Sequence, residues 1–185
     1  MARSLAALAV LLAAAALAQP QQERPNGVLL IAKPSLLDPN FRETVVLVTQ
    51  AADGSTVGVV LNRPTARRHE KTGEPVHFGG PVMREVMVAL FRSERVPGAS
   101  AFPVLRQVYL TMHPANIEAL LAQRGGRYRL FAGFSGWAPG QLEDEMRRDG
   151  WYMLPASEEL VFRKNTAGMW DELVKKARTR ATRHD

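Results

Sequence analysis

The chain has 185 residues, with 24 Lys and Arg against 18 Asp and Glu for a net charge of +6, and it contains no cysteine. Disulfides, thiolate zinc sites, cysteine nucleophiles and lipid anchoring through cysteine are therefore excluded. A chain of this size buries about two-thirds of its unfolded surface and needs no covalent staple.

Residues 1–18 read as an export signal. Arg3 and the amino terminus supply positive charge, residues 5–17 form an apolar run, and Ala16-Leu17-Ala18 places small side chains where a signal peptidase accepts them. That run is shorter than the about 20 residues that span a bilayer. A mis-assigned start would instead leave the protein in the cytoplasm. The polar, proline-bearing residues 19–26 (QPQQERPN) read as a linker, residues 27–178 as one domain, and residues 179–185 as a basic tail.

Residues 27–32 (GVLLIA) have the length and apolarity of a buried strand. Asp38-Pro39-Asn40 punctuates a turn. Residues 43–50 and 56–62 are apolar and β-branched, and Asp53-Gly54 between them predicts a hairpin. Closing that hairpin brings Arg42 and Glu43 toward Asn62 and Arg63. Residues 63–75 are polar and predict a loop, followed by a brief strand at 76–78 and a tight turn at Gly79-Gly80-Pro81. Strands are predicted at 85–91, 104–110 and 127–134. A helix begins at Pro114, with Ile117, Leu120 and Leu121 on one face. A second helix covers about 140–149, pointing Leu142 and Met146 inward. Residues 151–154 form a short strand, and a last helix from near Thr166 carries the stripe Met169, Trp170, Leu173, Val174 and Ala177. About seven strands and three helices without strict alternation predict an α+β domain.

The segments LIAKPSLLDPNFRETVVLV (30–48), GVVLNRPT (58–65), FGGPV (78–82), VYLTMHPANIEAL (108–120), FAGFSGWAPGQLEDEM (131–146) and GWYMLPASEELVF (150–162) resemble the YqgE/AlgH family of small bacterial proteins. The resemblance runs in order along nearly the whole mature chain. It implies a single α+β domain with a strongly curved, barrel-like, mostly antiparallel sheet flanked by about three helices. It implies no settled activity. The chain departs from the family in its export signal and in a shorter segment between Asn62-Arg63-Pro64 and Gly79-Gly80-Pro81.

Several chemistries fit the residues poorly. Gly133-Phe134-Ser135-Gly136 lacks the glycine two places after serine that a nucleophile elbow requires, since Trp137 stands there. Ser135 then reads as a turn residue capping the next helix. His69-Glu70, Glu74/His77 and the acids 143–145 have no helical metal spacing, so neither metal nor cofactor is expected. No phosphate loop is present. Predicted helices separated by strands do not make a helix-turn-helix, so direct DNA binding is not expected. The sharpest positive reading is a cleft for a small anion or a protein partner. Arg42, Asn62 and Arg63 meet at one hairpin end, with Gly79, Gly80, Ser135 and Trp137 supplying backbone donors and an aromatic wall. The alternative is that Arg42 and Arg63 pair with Glu43 or Asp38 and hold loops. Trp137, Trp151 and Trp170 read as core. The expectation is a non-catalytic binding protein of the bacterial envelope, periplasmic or secreted. The alternatives are a regulator acting on transcription through a partner, and a hydrolase.

Overall fold

The computed structural model describes residues 27–123 and 125–182; the expected signal and linker lie outside them. Ten strands and four helices are present among these residues. In chain order they are β1 (Val28–Ala32), β2 (Val45–Gln50), β3 (Thr56–Val60), β4 (Pro64–Arg68), β5 (Pro75–Phe78), β6 (Val82–Arg92), β7 (Phe102–Leu105), β8 (Val108–Thr111), α1 (Pro114–Ala122), β9 (Tyr128–Trp137), α2 (Gln141–Arg147), β10 (Trp151–Pro155), α3 (Glu158–Val161) and α4 (Met169–Ala181). The sheet runs β10-β1-β2-β3-β9-β6-β8-β7, with β5 lying parallel to β9 and β4 paired to β5. Every other pairing is antiparallel. The sheet curls until its far strand returns to its near side: Gly27 N–H donates to Val104 O at 2.8 Å and Thr49 Oγ1 to Pro103 O at 2.9 Å.

Strand β9 is the seam of the curl. Its carboxyl half pairs with β3 and its amino half with β6 and β5. The turn expected at Ser135-Gly136 is therefore absent, because the strand continues through to Trp137. It bends at Gly133, where φ is +71° and a Cβ would stand 2.7 Å from Val82 O. Only glycine takes that conformation in that space at low cost.

Both faces of the sheet are covered, which explains why β1 to β3 are apolar without alternation. Leu29 and Ile31 point into a core shared with Leu47, Leu90, Phe131 and the Met169/Leu173/Val174/Ala177 stripe of α4. Leu30 and Ala32 point the other way, into a layer with Trp137 and Trp151 beneath α2. A third layer, with Val76, Ala89, Phe91 and Leu130, packs Ile117 and Leu120 of α1.

Two expectations need correction. Residues 63–75 are not a loop but the β4–β5 hairpin, closed by Gly73 at φ +72°. Polar composition concealed it, because β4 is an exposed edge strand with no apolar face to bury. Residues 104–110 are two strands, turned at Arg106-Gln107 with Gln107 at φ +67°. That turn lacks glycine, proline and asparagine, so it carries no punctuation. The last helix continues to Ala181, past the expected start of the tail.

Candidate functional site

Arg42, Asn62 and Arg63 do come together at the end of the β2–β3 hairpin. Asn62 extends the ladder beyond the strands: its Oδ1 accepts from Val45 N–H at 2.8 Å and its Nδ2 donates to Glu43 O at 2.9 Å. Arg63 works as a clasp. Its guanidinium donates to Asn40 O at 2.7 Å, to Arg42 O at 3.0 Å and to Pro39 O at 3.3 Å. The alternative, pairing of Arg42 and Arg63 with Asp38 or Glu43, is not made among the described residues. Instead burial, then the nearby charge of Arg42, lowers the Arg63 pKa, with Asp38 and Glu43 opposing more weakly.

The clasp recruits residues that the sequence did not single out. Arg84 donates to Asn40 Oδ1 at 3.2 Å. The guanidinium groups of Arg63 and Arg84 lie 5.6 and 5.4 Å from the ring centre of Phe78, within the range of cation–π attraction. Loop 38–43 and the Phe78 ring are thus held by two arginines and carry a third, Arg42, exposed to solvent. None of the three belongs to an ion pair among the described residues.

The glycine corner and the two residues beyond it serve structure. Gly79 N–H donates to Ala132 O at 3.0 Å, and Gly79 O accepts from Val60 N–H at 2.9 Å. A Cβ at Gly79 would stand 2.0 Å from Gly133 O, so the close approach of the two backbones requires glycine. Gly80 is buried in the same crossing, where a Cβ would meet Phe134 O at 2.2 Å. Ser135 is fully buried and donates to Gly79 O at 3.2 Å; no described histidine bonds to it. These groups give the corner its rigidity, not its ligand donors.

Trp137 is core, as are Trp151 and, in part, Trp170. Phe41 stacks on Trp137 at 5.7 Å and meets Trp151 edge-on at 5.6 Å. Both indole N–H groups donate to Oε2 of Glu145, each at 3.1 Å. Glu145 sits in an acidic run that composition presents as a solvated helix face. Its position three residues after Leu142 was the available sign that it turns inward. The knot matters to the site because Phe41 anchors the loop that carries Asn40 and Arg42.

Arg129 is the other residue that sequence reasoning missed. It is 9% exposed, and its guanidinium donates to Leu61 O at 2.8 Å and Val161 O at 3.0 Å. Burial lowers its pKa to about 10. A lone arginine in an otherwise apolar strand was the signal. Burial and then the Arg129 charge depress the pKa of His77, whose Nδ1 lies 3.3 Å from Leu130 O.

The sequence profile of the AlgH-like family (DUF179) matches residues 29–182. A UPF0301 protein of Streptomyces coelicolor is 36% identical over 170 residues, covering 83% of this chain and 86% of that one. One from Mycobacterium tuberculosis is 33% identical over 164 residues, covering 81% of each. In fold, the solution structure of AlgH from Pseudomonas aeruginosa matches with a TM-score of 0.69 at 22% identity, over 85% of this chain and 90% of that one. A Corynebacterium diphtheriae crystal structure matches with a TM-score of 0.65 at 23% identity, over 86% and 90%. Motifs, profile and fold agree, and this chain belongs to the AlgH-like family.

Proposed function

We propose that this protein is an exported, non-catalytic binding module that recognises an anionic partner at the arginine corner. The observation that carries the reading is the gathering of Arg42, Arg63 and Arg84 about one loop and one ring, with no ion pair to any of them among the described residues. A guanidinium offers five donors in a fork that fits carboxylate or phosphate. Arg63 is committed to loop carbonyls and acts as the positioning residue. Among the described residues Arg42 makes no side-chain hydrogen bond and Arg84 makes one, to Asn40, so these two meet the partner. The buried Ser135 hydroxyl, bonded to a carbonyl and not to histidine, supports a non-catalytic role. The charge, apolar run and small residues within positions 1–18 support export.

The test is capture from the envelope fraction on immobilised protein, with Arg42→Ala/Arg84→Ala as the comparison. The wild type is expected to retain a partner that elutes with salt, as exposed charge contacts do. The double variant is expected to lose that partner while keeping a single cooperative unfolding transition, its midpoint lowered only slightly by the loss of the exposed Arg84–Asn40 bond. Equal retention by both overturns the reading. Fusing residues 1–26 to a reporter active only outside the cytoplasm is expected to give activity, and its absence overturns the compartment.

A further inference from the structure

A second site lies at the turn end of the β4–β5 hairpin, opposite the end that carries Arg63 and Phe78. A cleft of about 550 Å³ opens between the β4–β5 hairpin, β6 and α1. This volume falls within the roughly 300–1,000 Å³ of small-molecule sites. Its floor is apolar: Val86 and Met87 of β6, Met112, and Ile117 and Leu121 of α1. Of these only Ile117 is buried, and the others are partly exposed, leaving apolar surface uncovered within a concavity. Methionine is flexible and polarizable, and it adapts to aliphatic ligands.

The polar groups of the cleft are divided between its walls. The hairpin wall presents Lys71, His69 and Thr72; the helix wall presents Glu118. The first wall offers donors and a positive charge, while the second repels an anion. An amphipathic molecule with a negative head is thereby oriented, head toward the hairpin and aliphatic tail along the floor under α1. The hairpin is held for this by His69 N–H donating to Glu74 O at 2.8 Å and by the contact of His69 Nδ1 with Thr72 Oγ1 at 3.1 Å.

We propose that this cleft binds a free long-chain carboxylate of the fatty-acid class. The site shares no residue with the arginine corner, so its test stands apart from that of the proposed function. The probe is monomeric dodecanoate added to full-length protein labelled at the methionine methyls. Met87 and Met112 line the cleft, Met169 is buried in the main core, and Met83 and Met153 are exposed elsewhere. The expected result is a saturable shift of Met87 and Met112 alone. Dodecyltrimethylammonium, with the same tail and the opposite head, is expected to bind more weakly. Lys71→Glu, at an exposed position, is expected to weaken dodecanoate roughly fivefold, the scale of one solvent-exposed charge contact. Leu121→Glu is expected to abolish it, with an unchanged Met169 signal reporting that the fold is intact. Indifference to the head group or to Lys71→Glu overturns the assignment. So do equal shifts at Met83 and Met153, which mean surface adsorption, and shifts that grow with protein concentration without ligand, which mean a second copy in the cleft.

Discussion

The two outer layers of the sheet lie over different strands, with only β9 common to both, and they end differently. Under α2 the layer is closed. Phe41, Trp137 and Trp151 interlock, and Glu145 takes both indole N–H groups, so a seven-residue helix completes a core with the help of one loop. Under α1, Ile117 and Leu120 seal only part of the layer, and Val86, Met87, Met112 and Leu121 line an open cleft. The closed side has three interlocked rings and a part-buried acceptor that suits them; the cleft on the open side is lined by methionine and aliphatic side chains. Rigidity thus supports the arginine corner beside the closed layer, and adaptability is confined to the other.

The sharpest way to break this contrast is Trp137→Ala. Removing a buried ring and an indole donor is expected to cost about 3–5 kcal/mol in urea unfolding. A loss under about 1 kcal/mol would mean that the α2 layer is not a core. Next, Glu145→Ala leaves two indole donors without their acceptor and is expected to cost about 2 kcal/mol and to change tryptophan emission, while Glu145→Gln retains an acceptor and costs less. Arg63→Ala removes charge-assisted bonds to three carbonyls and is expected to cost a comparable amount. If it were silent, the clasp would not hold the loop. Met87→Ala on the open side is expected to fall below the about 2 kcal/mol lower bound for a fully buried methionine, because this side chain is only partly buried.

The smallest effect is a pH dependence. His77 has a folded pKa below its ordinary 6.5, through burial and the charge of Arg129. As pH falls below 6.5 the unfolded chain takes up this proton first, so stability is lost until the folded His77 is protonated as well. The wild type is expected to lose more stability between pH 7.5 and pH 5 than His77→Gln does, read as the shift in urea midpoint. An equal loss would place the titration elsewhere.

Much of the fold was legible because its signals are local. The β2–β3 hairpin follows from Asp53-Gly54 between two β-branched runs, and α1 and α4 from Pro114 and an apolar stripe. The β4–β5 hairpin and the turn at Gln107 were hidden because an edge strand needs no apolar pattern and a left-handed residue need not be glycine. At the site, the meeting of Arg42, Asn62 and Arg63 was readable from hairpin closure. Phe78, Arg84 and Asn40 were not, since three separate stretches of chain bring them there.

The amino-acid order alone determined family, class and the absence of thiol chemistry, because composition and short motifs report what each segment is able to form. Tertiary structure decided that Arg63 grips carbonyls, that Glu145 faces two indoles and that α1 leaves a cleft. Each of these depends on which distant groups the curled sheet sets within about 3–6 Å of one another, a distance scale on which hydrogen bonds and ring contacts act and on which chain position carries no information.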